Sequence, residues 1–144
     1  MPGTTTPLYA IGIAAELLGV HPRTLRLYEE SGLIKPARRN NRRLYSNHDL
    51  TWVRCIRHLI HDQGLNQEGL RRLLALIPCW EIRQCDQAAH ADCPARQDRS
   101  TPCWQIKDVA CQENRECHEC PVYLSAPEHL LSPNELAEIQ RAQA

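Results

Sequence analysis

The stretch Gly19-Val20-His21-Pro22-Arg23-Thr24-Leu25-Arg26-Leu27-Tyr28-Glu29-Glu30-Ser31-Gly32-Leu33 decides the fold of this chain. Leu25, Tyr28 and the later Leu33 continue one apolar side at helical spacing, while Arg23, Thr24 and Arg26 fall on the outer face. Pro22 suits the first turn of a helix, where the N–H it lacks would have no partner. Ser31-Gly32 stops that helix. Upstream, Ile11 to Leu18 places Ile13, Ala14, Leu17 and Leu18 on one face of a shorter helix, and Gly19 closes it. Two short helices joined by Gly19-Val20-His21 read as a helix-turn-helix, whose second helix enters a major groove with its N-terminal half.

The next segment is Lys35-Pro36-Ala37-Arg38-Arg39-Asn40-Asn41-Arg42-Arg43-Leu44-Tyr45. Asn-Asn tolerates positive φ and suits a tight hairpin, so the four flanking arginines form a basic wing. A charge run alone is usually a solvated face. Directly after a helix-turn-helix that carries its own outward arginines, it points to a polyanion. Ser46-Asn47-His48-Asp49 resembles a capping box, with Asp in place of Glu or Gln. It opens a third helix with Leu50, Val53, Ile56 and Ile60 on one stripe and Trp52 and Leu59 broadening it. Cys55 lies in that band and reads as a small core hydrophobe. Gly64 ends the helix, and Asn66 caps a fourth with Leu70, Leu73, Leu74 and Ile77 on its apolar face.

Charge and cysteine content divide the 144 residues at Pro78. Residues 1–77 hold 11 Lys/Arg against 6 Asp/Glu, and residues 78–144 hold 6 against 11, so a neutral total hides a basic half joined to an acidic one. Of the 8 cysteines, Cys55 alone precedes the boundary. The others are Cys79, Cys85, Cys93, Cys103, Cys111, Cys117 and Cys120, and they sit in a repeat. Pro78-Cys79-Trp80, then Cys85 and Cys93-Pro94, is echoed by Pro102-Cys103-Trp104, then Cys111 and Cys120-Pro121. All seven are candidate metal ligands. Cys117 and Cys120 form a C-x2-C pair of the kind zinc uses. Irregular spacing and Cys-Pro suit an iron–sulfur cluster. His90, His118 and His129 could supplement either, and redox-active or structural thiols without metal remain a third reading. A Trp beside each thiolate either excludes water from a metal site or forms a mini-core for a segment that needs a staple.

Met1-Pro2-Gly3-Thr4-Thr5-Thr6-Pro7 has neither the basic nor the apolar region of a signal peptide, and no apolar run nears the roughly 18 residues of a membrane span. A cytoplasmic setting, where thiols stay reduced, is expected. After Tyr123, Ser132-Pro133-Asn134-Glu135 is a capping box before a short helix with Leu136 and Ile139, which docks or frays. No active-site constellation is present, so an enzyme is not expected. A thiol oxidoreductase using Cys117 and Cys120 is the weaker alternative, and a zinc-stapled protein-interaction module is another.

Residues 9–77 resemble the winged helix-turn-helix domain of the MerR family of transcriptional regulators. The resemblance rests on Tyr9-Ala10-Ile11-Gly12, Gly19-Val20, Thr24-Leu25-Arg26-Leu27-Tyr28-Glu29, Gly32-Leu33, Arg43-Leu44-Tyr45-Ser46 and Asp49-Leu50. Residues 21–29 and 69–74 look most like the heat-shock repressor (HspR) branch. The family implies that Arg23, Thr24 and Arg26, with His21, lie at the major groove. It also implies that Tyr28, Arg38, Arg39, Asn41, Arg42, Arg43 and Tyr45 grip the backbone of double-stranded DNA, with RNA polymerase nearby. Two departures stand out. Arg42 replaces the usual wing aromatic, and Pro78 replaces the long dimerisation helix, so a homodimer would use another surface. Residues 78–123 resemble the bacterial two-CW cysteine-rich domain. The family places effector sensing C-terminal to its DNA-binding domain and includes metal, thiol and iron–sulfur sensors.

The expected fold is mainly α. A disordered tail (1–8) precedes the winged helix-turn-helix domain (9–77). A small irregular cysteine-rich, metal-stapled module (78–126) and a short C-terminal helix (127–144) follow. The expected cofactor is an iron–sulfur cluster or zinc.

Overall fold

The computed structural model describes residues 4–82, 93–94, 98, 100–106 and 120–141, with 80 and 81 described by backbone alone. The architecture is mainly helical with one small antiparallel sheet. Strand β1 (Tyr9–Ala10) runs into α1 (Ile11–Leu18). Gly19 ends α1 at φ 69°, a left-handed conformation that lets two N–H groups reach back to Glu16 and Ala15 carbonyls. Helix α2 (Pro22–Glu30) starts at His21, whose Nδ1 accepts the Arg23 N–H at 3.1 Å.

Strands β2 (Ala37–Arg39) and β3 (Arg42–Tyr45) form the expected hairpin. Its turn residues Asn40 and Asn41 both take positive φ, 52° and 64°, which matches the twist of a two-residue hairpin. Strand order is β1-β3-β2, with Ala10 opposite Leu44 and Arg38 opposite Arg43. Helix α3 (Asn47–Arg57) carries both bonds of the capping box, Ser46 N–H to Asp49 Oδ2 at 2.9 Å and Asp49 N–H to Ser46 Oγ at 3.0 Å. It continues as a π-helical turn, His58–Asp62, before Gly64 turns the chain at φ 78°. Helix α4 (Gln67–Ala75) is capped by Asn66, whose Oδ1 accepts the Gly69 N–H at 2.7 Å.

Three expectations change at this level. The stretch before Tyr9 is tied down from residue 4 onward: the His48 N–H donates to the Thr4 carbonyl and the Leu8 N–H to the Tyr45 carbonyl, extending the sheet edge. The buried side of α1 is Ala14 and Ala15, flanked by Ile11 and Leu18, while Ile13 and Leu17 stand 53% and 51% exposed. Two alanines allow close approach to the neighbouring helices, which rotates the apolar stripe by one position. Leu73 likewise turns outward, leaving Leu70, Leu74 and Ile77 inside.

The core continues past the change of composition at Pro78. Helical turn α5 (Cys79–Ile82), a 3-10 turn at Cys103–Gln105, α6 (Pro121–Leu124), α7 (Ala126–Leu130) and α8 (Pro133–Arg141) follow. Trp104, Val122, Tyr123, Ala126 and Leu131 are buried in the same apolar cluster as Leu25, Leu33, Trp52, Ile56 and Leu70. Cys55 belongs to it too. Burial pushes its thiol up to about 12, so it is an inert core side chain, as its place in the helix suggests.

Helix α8 docks. Leu136 and Ile139 pack on the core, and Ser132 and Glu135 form a reciprocal capping box. Glu135 also accepts from His58 Nε2 at 3.1 Å, while Asp62 pairs with Nδ1 at 3.0 Å. The bond to Glu135, with Asp62 adding to it, raises His58 above its ordinary 6.5; bonds from Ser132 and His58 lower Glu135 below 4.5. A raised base stabilises fully below its unfolded value and loses that contribution as pH rises through the folded one. A lowered acid does the reverse. Docking of α8 is therefore expected to be firmest between roughly pH 4.5 and 6.5 and to loosen above it. Amide exchange in α8 measured at pH 6 and pH 8, after correction for intrinsic rates, checks this; equal protection would refute it.

Candidate nucleic-acid interface and thiol cluster

Arg23 and Arg26 are exposed on the first turns of α2, on the side opposite buried Leu25 and Tyr28. In the hairpin, Arg38 faces Arg43 and Arg39 faces Arg42, two like-charge pairs that repel across the strands. One carboxylate relieves the first pair. Glu29 of α2 bonds Arg38 Nη2 through both oxygens at 3.2 Å and also pairs with Arg43 Nε. The clasp raises the Arg43 guanidinium further above its ordinary range, through the Glu29 hydrogen bond first. Glu29 thereby ties the wing to the recognition helix, a role that sequence reasoning missed. An acid inside a stretch otherwise rich in arginine was the available signal.

Among the described residues, Arg23, Arg26, Arg39 and Arg42 have no carboxylate partner, and all four are exposed. Exposed Asn41 sits at the hairpin tip. Thr24 is half-buried in the first turn of α2, next to the cap formed by exposed His21. Two residues expected at phosphates lie elsewhere. Tyr45 is 0% exposed, with its hydroxyl buried and unpartnered among the described residues, and Tyr28 is 3% exposed. Burial deepens along β3 from exposed Arg42 to buried Tyr45, and helical spacing puts Tyr28 on the same buried face as Leu25. Both build the platform beneath the arginines.

The described thiols after Pro78 divide into two places. Cys93, 8% exposed, has Cys79, Cys103 and Ile106 packed against it, and Cys79 and Cys103 also touch the main core. Cys120 is buried in the main core, at the N-terminus of α6. Cys85, Cys111 and Cys117, with His90, His118 and the Trp80 side chain, lie outside the described residues. Soft donors in an apolar setting suit zinc or cluster iron. As they stand, no group of three or more His, Cys, Asp or Glu among the described residues is arranged to hold a metal ion. Trp104 belongs to the shared core, 2% exposed, edge-on to Tyr123. It forms no separate mini-core.

A helix-turn-helix clasped to a basic antiparallel hairpin defines a winged helix-turn-helix protein. The family profile described as MerR HTH family regulatory protein matches residues 9–77, so this segment is similar to the DNA-binding domain of that family. HspR of Streptomyces coelicolor is 43% identical over 91 residues, 60% of this chain and 60% of that protein. The HTH-type transcriptional regulator GlnR of Bacillus anthracis is 40% identical over 73 residues, 50% of this chain and 56% of that one. The heavy metal-dependent transcription regulator 2 of Rhizobium meliloti is 38% identical over 75 residues, 51% of this chain and 48% of that one. The chain thus spans about half to three-fifths of the length of these relatives. No helix among the described residues is long and apolar enough to cross a membrane.

Proposed function

We propose that the chain is a cytoplasmic, sequence-specific transcriptional regulator that binds double-stranded DNA. His21, Arg23, Thr24 and Arg26 read the major groove, while Arg38, Arg39, Asn41, Arg42 and Arg43 follow the phosphates beside it. The carrying observation is the set of four exposed arginines without carboxylate partners among the described residues, Arg23, Arg26, Arg39 and Arg42, on two elements that Glu29 holds together. The cysteine-bearing half senses metal or redox state, with Cys79, Cys93 and Cys103 as ligands of zinc or of an iron–sulfur cluster. The packing of Cys79 and Cys103 against Cys93 supports this, as does the heavy metal dependence named for a relative. The bound group would supply a charge and a cross-link among these thiolates. RNA polymerase is the expected neighbour on a promoter, and pairing of two copies would use a surface other than a coiled coil.

Retention of a duplex enriched by the wild-type protein from a random-sequence pool tests the DNA reading. Replacing Arg39 and Arg42 with Ala is expected to weaken binding across sequences and to flatten the slope of log affinity against log salt by about 1 per lost phosphate contact. Unchanged slope and affinity would overturn it. For the thiols, protein purified without oxygen is expected to contain iron with sulfide, or zinc. A preparation free of both would leave thiol chemistry alone as the sensor.

A further inference from the structure

The recognition helix and the wing are joined by residues 31–36, and side chains from the cysteine-bearing half hold that connection. The Trp104 Nε1–H donates to the Gly32 carbonyl at 2.7 Å. The Gln105 Nε2–H donates to the Glu30 carbonyl at 3.1 Å. The Tyr123 hydroxyl accepts the Lys35 N–H at 3.1 Å and donates to Asp49 Oδ1 at 2.9 Å. The two rings lock edge to face, with centroids 5.2 Å apart. Gly32 fits this grip twice over. Its φ of 82° favours glycine, and the Gln105 amide fills the space a Cβ would need.

Arg71 of α4 braces the same turn through Gln105 Oε1, the Ser100 carbonyl and Thr101 Oγ1, at 3.1, 3.1 and 3.0 Å. A cleft of about 200 Å3 remains open along the seam, between Glu29, Lys35 and Ile106. Directed hydrogen bonds therefore add to the packing of Trp104 and Tyr123 in holding this edge. Cys103, which immediately precedes Trp104, touches both the thiol cluster and the main core.

We propose that Trp104, Gln105 and Tyr123 are positioning residues for DNA binding: they set the angle between α2 and the wing, and Cys103 passes the state of the thiol cluster to them. The second clause rests on the sensing function proposed above; the first does not. Any shift at Cys103 moves the adjacent indole, and with it the Gly32 carbonyl at the end of the recognition helix. Lys35 responds through Tyr123. The wing would then tilt against α2, and the arginines on the two elements would no longer meet one duplex together.

The test compares Tyr123→Phe, which keeps its ring and loses one hydroxyl, and Trp104→Phe, which loses the indole N–H together with the five-membered ring, with wild type and with Ile139→Ala as a folding control on α8. Each protein is prepared zinc-loaded and chelator-stripped, both reduced. Readouts are affinity for the selected duplex and amide exchange at Lys35. Wild type is expected to bind differently in the two states and to change Lys35 protection in parallel. Tyr123→Phe should bind about 3–10-fold more weakly, the scale of one hydrogen bond, and Trp104→Phe at least as weakly; both should lose most of the zinc response, and Ile139→Ala should keep it. Phe variants that respond as wild type does, at unchanged affinity, would overturn the proposal. If wild type itself shows no zinc response, sensing of that ion fails, and stripped protein decides the clamp: weaker binding by the Phe variants upholds their positioning role, equal binding removes it.

Discussion

A fragment ending at Ile77 is expected to fail to hold the fold that the full chain holds, even though it contains every residue of the MerR-type segment. The cut removes Trp104, Val122, Tyr123, Ala126 and Leu131 from one continuous apolar cluster. Truncating a buried aromatic costs about 3–5 kcal/mol. Losing both Trp104 and Tyr123 therefore removes an amount comparable to the 5–15 kcal/mol that typically stabilises a whole domain. The polar loss adds to this, because the Gly32 carbonyl, the Lys35 N–H and the Asp49 carboxylate each lose a partner. The fragment carries its own probe. Trp52 becomes the sole tryptophan, and in the full chain it is fully buried with its N–H on the Leu33 carbonyl at 2.8 Å. Red-shifted emission without a cooperative melt is expected. A sharp transition within a few degrees of the full-length protein would show that the first 77 residues are self-sufficient.

What the sequence made legible is what local chemistry fixes. Gly19, Pro22, the Asn40-Asn41 turn, the Ser46–Asp49 box and Asn66 each specify a helix end or a turn within four residues of themselves, and the structure realises each one. Less legible was which side of an element meets the rest. Ile13 and Leu17 were expected inside and are exposed, because α1 packs through two alanines that make a weaker apolar signal. Tyr45 was expected at DNA because the family resemblance implied it, and it is buried at the end of β3. Least legible were partners far apart in sequence. Trp104 bonds a carbonyl 72 positions away, and Tyr123 a carboxylate 74 positions away. No period or spacing encodes such pairings. The Cys-Trp repeat drew attention to Trp104 as a companion of thiolates, and its indole faces the recognition helix instead.

Asp49 joins these long-range contacts to a local one, and its replacement by Ala is expected to be the most destabilising single change considered. Its carboxylate is 1% exposed. It accepts from the Ser46 N–H at 2.9 Å to cap α3, and from Tyr123 at 2.9 Å to hold α6 against the helix start. Ala at this position leaves both donors buried without partners, at about 1–3 kcal/mol each, and removes half of the capping box, for a total of about 3–5 kcal/mol. For a chain of this size that corresponds to a melting temperature lower by roughly 10 °C. Asn offers one acceptor oxygen where the carboxylate has two, so Asp49→Asn should fall between wild type and Ala. The pH dependence separates charge from hydrogen bonding. Burial raises the Asp49 carboxyl above 3.8, outweighing the bonds from Ser46 and Tyr123 that lower it. A raised acid contributes most stability below its unfolded value and loses that contribution as pH rises through the folded one. The stability gap between wild type and Asp49→Asn should therefore narrow as pH climbs from about 4 toward neutrality. Denaturant melts of the two proteins across that range decide it. A gap that widens with pH would mean that the ionised carboxylate is the favoured form in the folded protein and that its hydrogen bonds outweigh its burial.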